Sequence, residues 1–177
     1  MDNDELLEGC LRQQAKAQKL FYEKFSALML GICVRYVDSF EEAQDVMQEG
    51  FIKVFKNLGT FGGKGSLEGW IRRIMVNTAL DYLRTIKHER FQLNVDDVHD
   101  KLYAKSDVIG NLNADSMLEL IKTLPVGYRT VFNMYAIEGY SHREISDELG
   151  ISVNTSKSQY SRAKTILQKK MEELNML

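Results

Sequence analysis

Proline occurs once in 177 residues, at Pro125, and apolar residues recur three and four apart along most of the chain. Strand signals are almost absent. A chain so poor in helix breakers and so rich in the helical period is steered to an all-α fold. The spacing predicts helices over 4–13, 15–36, 41–57, 67–88, 114–123, 126–137, 142–149 and 153–173. The segment 89–113 breaks the pattern with scattered acids and no sustained apolar face, although Leu93, Val95, Val98, Leu102 and Tyr103 are able to pack on a neighbour. Two small helical domains are expected, 1–90 and 114–177, with a linker at 91–113.

The net charge of −2 does not by itself suggest a nucleic-acid binder. The distribution says more. Asp38, Glu41, Glu42, Asp45 and Glu49 follow one another with no basic residue between them. Lys157, Arg162, Lys164, Lys169 and Lys170 fall in a stretch with no acid. Separated patches set up local fields that a near-zero sum conceals. No stretch approaches the roughly 20 apolar residues of a membrane span. The N-terminal MDNDELLEG lacks the apolar core of a secretory peptide, which points to the cytoplasm. Cys10 and Cys33 lie in helical patterns without metal-ligand spacing and are expected to be reduced, buried thiols. His88, His99 and His142 are scattered, and no nucleophile–base or metal-ligand spacing joins them. No catalytic residue, metal or cofactor is expected, and the chain does not read as an enzyme.

In the acidic helix, Ala43, Val46, Met47, Phe51, Val54, Phe55 and Leu58 form the core stripe. Asp45, Gln48, Glu49 and Ile52 lie beside it on a more exposed face. Acids in the first turns also suit the helix dipole. The face is either plainly solvated or docks a basic partner.

Phe61, Gly62, Gly63, Lys64, Gly65 and Ser66 form a loop in which glycines permit close backbone approach. It lacks the ending of a phosphate-binding loop. In the next helix Leu67, Ile71, Ile74, Met75 and Thr78 supply the buried side, and Trp70, Arg73, Asn77 and Arg84 line another. An aromatic beside Arg and Asn suits unstacked bases, where the ring stacks and the polar groups meet edges and phosphate. A core Trp beside a solvated basic face fits the same pattern.

Residues 140–167 have the marks of a helix-turn-helix. Ser141 and Glu144 form a capping box, Ile145 and Leu149 face inward, Gly150 ends the helix and Ser152 caps the next. Ser146 takes a small-residue position before the turn, where helices cross closely. Val153, Ser156, Tyr160, Ala163 and Leu167 form the buried seam. Asn154, Thr155, Lys157, Ser158, Ser161, Arg162 and Lys164 point outward, as major-groove readers do. A simple helical hairpin with a basic surface is the alternative.

The ordered blocks EEAQDVMQEGFIKVFKNL, FGGKGSLEGWIRRIMVNTALDYLR and LPVGYRTVFNMYAIEGYSHREISDELGISVNTSKSQYSRAKTILQ resemble regions two and four of the sigma-70 family of bacterial sigma factors. The two-domain form resembles its extracytoplasmic-function (ECF) group. The resemblance implies a subunit that directs RNA polymerase to promoters. It assigns Asp45, Gln48, Glu49 and Ile52 to the polymerase core. It assigns Phe61, Gly62, Gly63, Lys64, Gly65 and Ser66 to capture of a flipped base of the minus-ten element, with Trp70, Arg73 and Asn77 close by. It assigns Asn154, Thr155, Lys157, Ser158, Ser161 and Arg162 to the minus-thirty-five element. Asn154, Ser156 and Gln159 stand where Gly, Val and Arg are frequent in the family. The partners implied are bacterial core RNA polymerase, promoter DNA and an anti-sigma factor, free or membrane-bound, with no small-molecule substrate. No fused sensor domain is expected after Leu177. An autonomous helix-turn-helix regulator with an N-terminal dimerisation or ligand domain explains the C-terminal half equally well.

Overall fold

The computed structural model describes residues 3–93 and 114–174. The linker reading at 94–113 lies outside the described residues. The chain divides into two compact units, Met1–Val98 and His99–Leu177. Among the described residues there are helices and no strand, as the period predicts.

In the first unit, α1 spans Asn3–Leu11, α2 Ala15–Tyr36, α3 Phe40–Asn57 and α4 Leu67–Leu93. A 3-10 turn, Leu58–Thr60, ends α3. α1 stops two residues before its expected end, because Gln13 turns the chain with φ of 56°. At this tight reversal Gly9 faces Ala17 so closely that a Cβ on Gly9 would sit 2.6 Å from the Ala17 Cβ. α4 runs five residues past its expected end at 88, so residues 89–93, read as the start of the break, are helical.

α2, α3 and α4 pack on one another, and α1 covers α2 and the 3-10 turn. The core of this unit is apolar and aromatic. Phe21, Phe25, Met29, Ile32 and Tyr36 from α2 meet Val46, Met47, Phe51 and Val54 from α3, and Ile71, Met75, Val76 and Ala79 from α4. Ring centroids lie 4.9 Å apart for Phe21–Phe25 and 5.5 Å for Phe21–Phe55. Full burial of such side chains contributes about 1.5–3 kcal/mol each. Cys10 and Cys33 are buried free thiols, as expected, and burial pushes the Cys33 thiol up to about 12.

In the second unit, α5 spans Ala114–Lys122, α6 Val126–Phe132, α7 His142–Leu149 and α8 Val153–Glu173. α6 continues through a π-helical turn, Asn133–Ile137, in which the Glu138 amide reaches back to the Asn133 carbonyl at 2.9 Å. The expected helix 126–137 thus has its extent, with a widened last turn. The chain leaves it at Gly139, whose φ is 78°. α5, α6 and α7 each pack on α8, and Leu120, Leu124, Ala163 and Leu167 form an apolar cluster. This core is smaller and carries buried polar groups: Arg129, Thr130, Asn133 and Ser156. Arg129 donates from Nη1 to the Lys122 carbonyl at 3.3 Å, at the C-terminal end of α5 where carbonyls lack helical partners.

Candidate functional site

The acidic face begins at a cap the sequence reading passed over. Ser39 Oγ accepts the Glu42 amide at 3.1 Å, and the Ser39 amide donates to Glu42 Oε2 at 2.9 Å. The S-x-x-E signal for this capping box lies plainly in SFEE. The other Glu42 oxygen accepts the Tyr82 hydroxyl of α4 at 2.8 Å. Burial would raise the Glu42 carboxyl, but these hydrogen bonds outweigh it and hold the group below its ordinary value. Tyr82 is pushed up to about 12 by burial, then by Glu42, then by the charges of Asp45 and Asp38. Glu42 therefore fastens α3 to α4 and is not part of an open docking face.

The core stripe of α3 is where the period places it: Ala43, Val46, Met47, Phe51, Val54 and Leu58 are buried and Phe55 is half-buried. That leaves Asp45, Gln48, Glu49 and Ile52 together on the exposed side, Ile52 with 48% of its surface open. Asp45 and Glu49 border an open cleft of about 390 Å³ between α3 and α4, lined also by Lys53, Thr78, Asp81 and Tyr82. Asp81 holds Lys53 at 3.2 Å and Arg84 at 2.7 Å. The local cations are thus drawn to Asp81, and Asp45 and Glu49 are left to present negative charge.

Phe61 is half-buried and its ring lies 5.6 Å from that of Trp70. Gly62, Gly63, Lys64, Gly65 and Ser66 are exposed, and Gly63 and Gly65 have φ of 69° and 87°. Ser66 caps α4: its hydroxyl accepts the Gly69 amide at 2.9 Å and its carbonyl the Trp70 amide at 3.1 Å. On α4, Leu67, Ile71, Met75 and Thr78 are buried and Ile74 is half-buried, with Val76, Ala79 and Leu80 adding to the core. Trp70 and Asn77 are half-buried and Arg73 is exposed. Arg72 and Arg84 are engaged by Glu68 and Asp81. The Asn77 Oδ1 is buried without a hydrogen-bond partner.

The helix-turn-helix is held as its sequence predicts. The Glu144 amide donates to Ser141 Oγ at 3.2 Å, and the Ser141 amide to Glu144 Oε2 at 2.8 Å. Gly150 is left-handed at φ 64°, ψ 33°. Ser152 Oγ accepts the Thr155 amide at 2.9 Å. Ser146 serves the turn itself, donating from its hydroxyl to the Ile151 carbonyl at 2.6 Å.

The seam departs from expectation at its start, while Ala163 and Leu167 are buried as expected. Val153, expected inside, is 36% exposed, because the first residue of α8 precedes the point where α7 meets it. That point is Ser156, fully buried, with its hydroxyl 2.9 Å from His142 Nδ1. His142 stacks on Tyr135 at 4.2 Å, and Tyr135 packs on Tyr160 at 4.6 Å. Burial, and then the charge of Lys157, hold the imidazole below its ordinary value. This polar and aromatic clasp was not legible in the sequence. Asn154, Lys157, Ser158, Ser161 and Arg162 are exposed together, while Thr155 is half-buried and shares its hydroxyl with Ser152 at 2.8 Å. Arg162 reaches the Tyr128 hydroxyl at 3.3 Å.

Among the described residues no group of three His, Cys, Asp or Glu could hold a metal ion, and no helix is long and apolar enough to cross a membrane.

The family model for Sigma-70 region 2 matches residues 21–89, and that for Sigma-70, region 4 matches residues 114–167. RNA polymerase sigma-H factor of Pseudomonas aeruginosa is 29% identical, over 97% of this chain and 95% of that protein. The ECF RNA polymerase sigma-E factor of Escherichia coli K12 is 26% identical, over 96% of this chain and 94% of that protein. A solved structure of the sigma factor RpoE with the anti-sigma factor NepR, from Bartonella quintana, shares the fold. Its TM-score is 0.57 at 20% identity, over 87% of this chain and 98% of that one.

Proposed function

The chain belongs to the sigma-70 family, in its ECF group, as a bacterial RNA polymerase sigma factor, and from that premise we propose how its residues divide the work of promoter-specific initiation. The observation that carries the reading is that both regions of the family occur in order in one chain, with full-length relatives that are sigma factors.

Asp45, Gln48, Glu49 and Ile52 dock on a basic surface of core polymerase. Their support is an exposed acidic and apolar face that the packing of the unit does not use. Residues 61–66, with Trp70, Arg73 and Asn77, hold the melted strand of the minus-ten element. The Phe61–Trp70 pair offers stacking surface, and Arg73 an exposed cation. Unstacking a base costs a few kcal/mol, and base–aromatic stacking returns about 1–3 kcal/mol. Asn154, Thr155, Lys157, Ser158, Ser161 and Arg162 enter the major groove at the minus-thirty-five element. Their support is a capped helix start bearing short polar and cationic side chains with no acid among them. Duplex reading and strand capture then fall to separate units, with residues 91–113 between them. The protein works in the cytoplasm and carries out no catalysis of its own. An anti-sigma factor masks these same surfaces; the RpoE of Bartonella quintana is solved in complex with an anti-sigma factor, NepR.

The test is co-elution with sigma-free core polymerase, followed by transcription from a promoter pool. Binding is expected, to be lost in Asp45→Arg. Transcripts are expected, to be lost in Arg162→Ala and Asn77→Ala. Normal transcription by both of these variants would show the DNA-reading residues to be wrongly assigned. A protein that ignores core and binds duplex DNA alone would be an autonomous regulator.

A further inference from the structure

On the reading above, the outward side chains of α8 enter the major groove. A long, flexible cation loses rotamer freedom when DNA fixes it, and that loss opposes the contact it makes. The cations Lys157, Arg162 and Lys164 of α8 differ in how far they are fixed beforehand. Lys157 is exposed and, among the described residues, makes no hydrogen bond or ion pair. Lys164 stands over the Tyr160 ring, 5.5 Å from its centroid. Of the three, only Arg162 is tethered by a directional bond from another helix: its Nη1 donates to the Tyr128 hydroxyl of α6 at 3.3 Å. The acceptor is itself well held. The Tyr128 ring packs on the cluster of Leu120, Leu124, Ala163 and Leu167. The next residue, Arg129, is buried and donates to the Lys122 carbonyl, which pins the first turn of α6 to the end of α5. α6 lies close against α8 here: a Cβ added to Gly127 would stand 3.8 Å from the side-chain amide of Gln159, nearly one turn before Arg162.

We propose that Tyr128 is a positioning residue for promoter reading, whose hydroxyl holds the Arg162 guanidinium in the pose that meets the DNA. A guanidinium carries five N–H donors in a rigid plane, and the tether uses one of them. The rest of the fork stays free to pair with a guanine edge or a phosphate. The acceptor is a phenol and not a carboxylate, so it orients the cation without cancelling the charge that attracts phosphate. The inference rests on α8 being the reading helix. It goes further by giving a part in the reading to a residue of α6.

The experiment uses the full-length protein on sigma-free core polymerase, with templates randomised through the upstream element. The pool enriched by wild type is sequenced, and its most enriched duplex serves for binding titrations. Tyr128→Phe keeps the ring and removes the hydroxyl, so its Tm is expected to match wild type. Its binding is expected to weaken about three- to tenfold. In an Arg162→Ala background the same substitution is expected to change nothing, read at low salt, where phosphate contacts keep the complex measurable. Base preferences that Arg162→Ala relaxes are expected to relax at the same positions, and less, in Tyr128→Phe. Wild-type or tighter binding by Tyr128→Phe would overturn the proposal. So would an equal loss in both backgrounds, because a purely structural change, or a contact made by Tyr128 itself, does not depend on Arg162. If Arg162→Ala alone binds and selects as wild type does, the parent assignment of Arg162 fails and takes the proposal with it. That failure is read from the single variant, apart from the two outcomes above.

Discussion

The two units solve the same problem, holding a few short helices together, by different means. The first buries a continuous apolar core in which three long helices meet and two of them share aromatic rings. The second has a smaller apolar cluster and leans on specific polar contacts: the buried Arg129, the His142–Ser156 pair, and caps at the starts of α7 and α8. Apolar area accumulates slowly in a small unit, so directional bonds carry a larger share of its stability. A core of rings tolerates a changed surface. A clasp of hydrogen bonds ties the position of α8 to the state of a few named atoms.

Phe21→Ala tests that contrast most severely. Phe21 is fully buried between Phe25 and Phe55, and the expected loss is about 3–5 kcal/mol. Urea unfolding followed by fluorescence of Trp70, the one tryptophan of the chain, reads it in the first unit. A loss under about 1 kcal/mol would show that the ring cluster is not the centre of that core. Ile145→Ala removes a fully buried contact from the second unit, with an expected loss of about 2–4 kcal/mol. In so small a core it should abolish binding to promoter duplex. Binding at wild-type strength would show the polar clasp to be sufficient without it.

Both units use the same capping box, at Ser39 and at Ser141. Ser39→Ala and Ser141→Ala should each cost about 1 kcal/mol, and the second should be felt more in function, because α7 supports the reading helix. Equal and negligible effects on duplex binding would remove that distinction.

The smallest expected effect is in acid. His142 is depressed from 6.5, so the unfolded chain binds that proton more tightly. The stability it contributes is whole above about pH 6.5 and declines as pH falls below that value. Glu42 is depressed from 4.5, so its contribution is whole above pH 4.5 and is lost only below it. The second unit should therefore weaken first on acidification, and His142→Gln should erase that early phase in circular dichroism at fixed urea. A wild-type profile flat from about pH 7.5 to about pH 5.5 would overturn the assignment.

What could be read in advance was what neighbours in sequence decide. The period of α3 placed Ala43, Val46 and Met47 inside and Asp45, Gln48 and Glu49 outside. Ser141, Gly150 and Ser152 marked the ends of α7 and the start of α8, because caps act over three or four residues. The Ser39 cap was equally local and was legible, though unread. Contacts across the chain were not legible. Glu42 meets Tyr82 forty residues away, and His142 meets Ser156 fourteen away. Gly50 owes its size to Met75, whose Sδ would stand 2.3 Å from an added Cβ.

The sequence by itself determined the helices, their caps, the exposed acidic face and the kinship of both regions, all of which follow from periodicity and short-range hydrogen bonding. Only the tertiary structure decided which polar groups remain available. It withdrew Glu42 into a bond with Tyr82 and Lys53 into a pair with Asp81, both on the neighbouring helix, and left Asp45, Glu49 and Arg73 outward. The reason is that availability depends on what the neighbouring helix brings within about 3 Å, and a helix face carries no record of its neighbour until the two have packed.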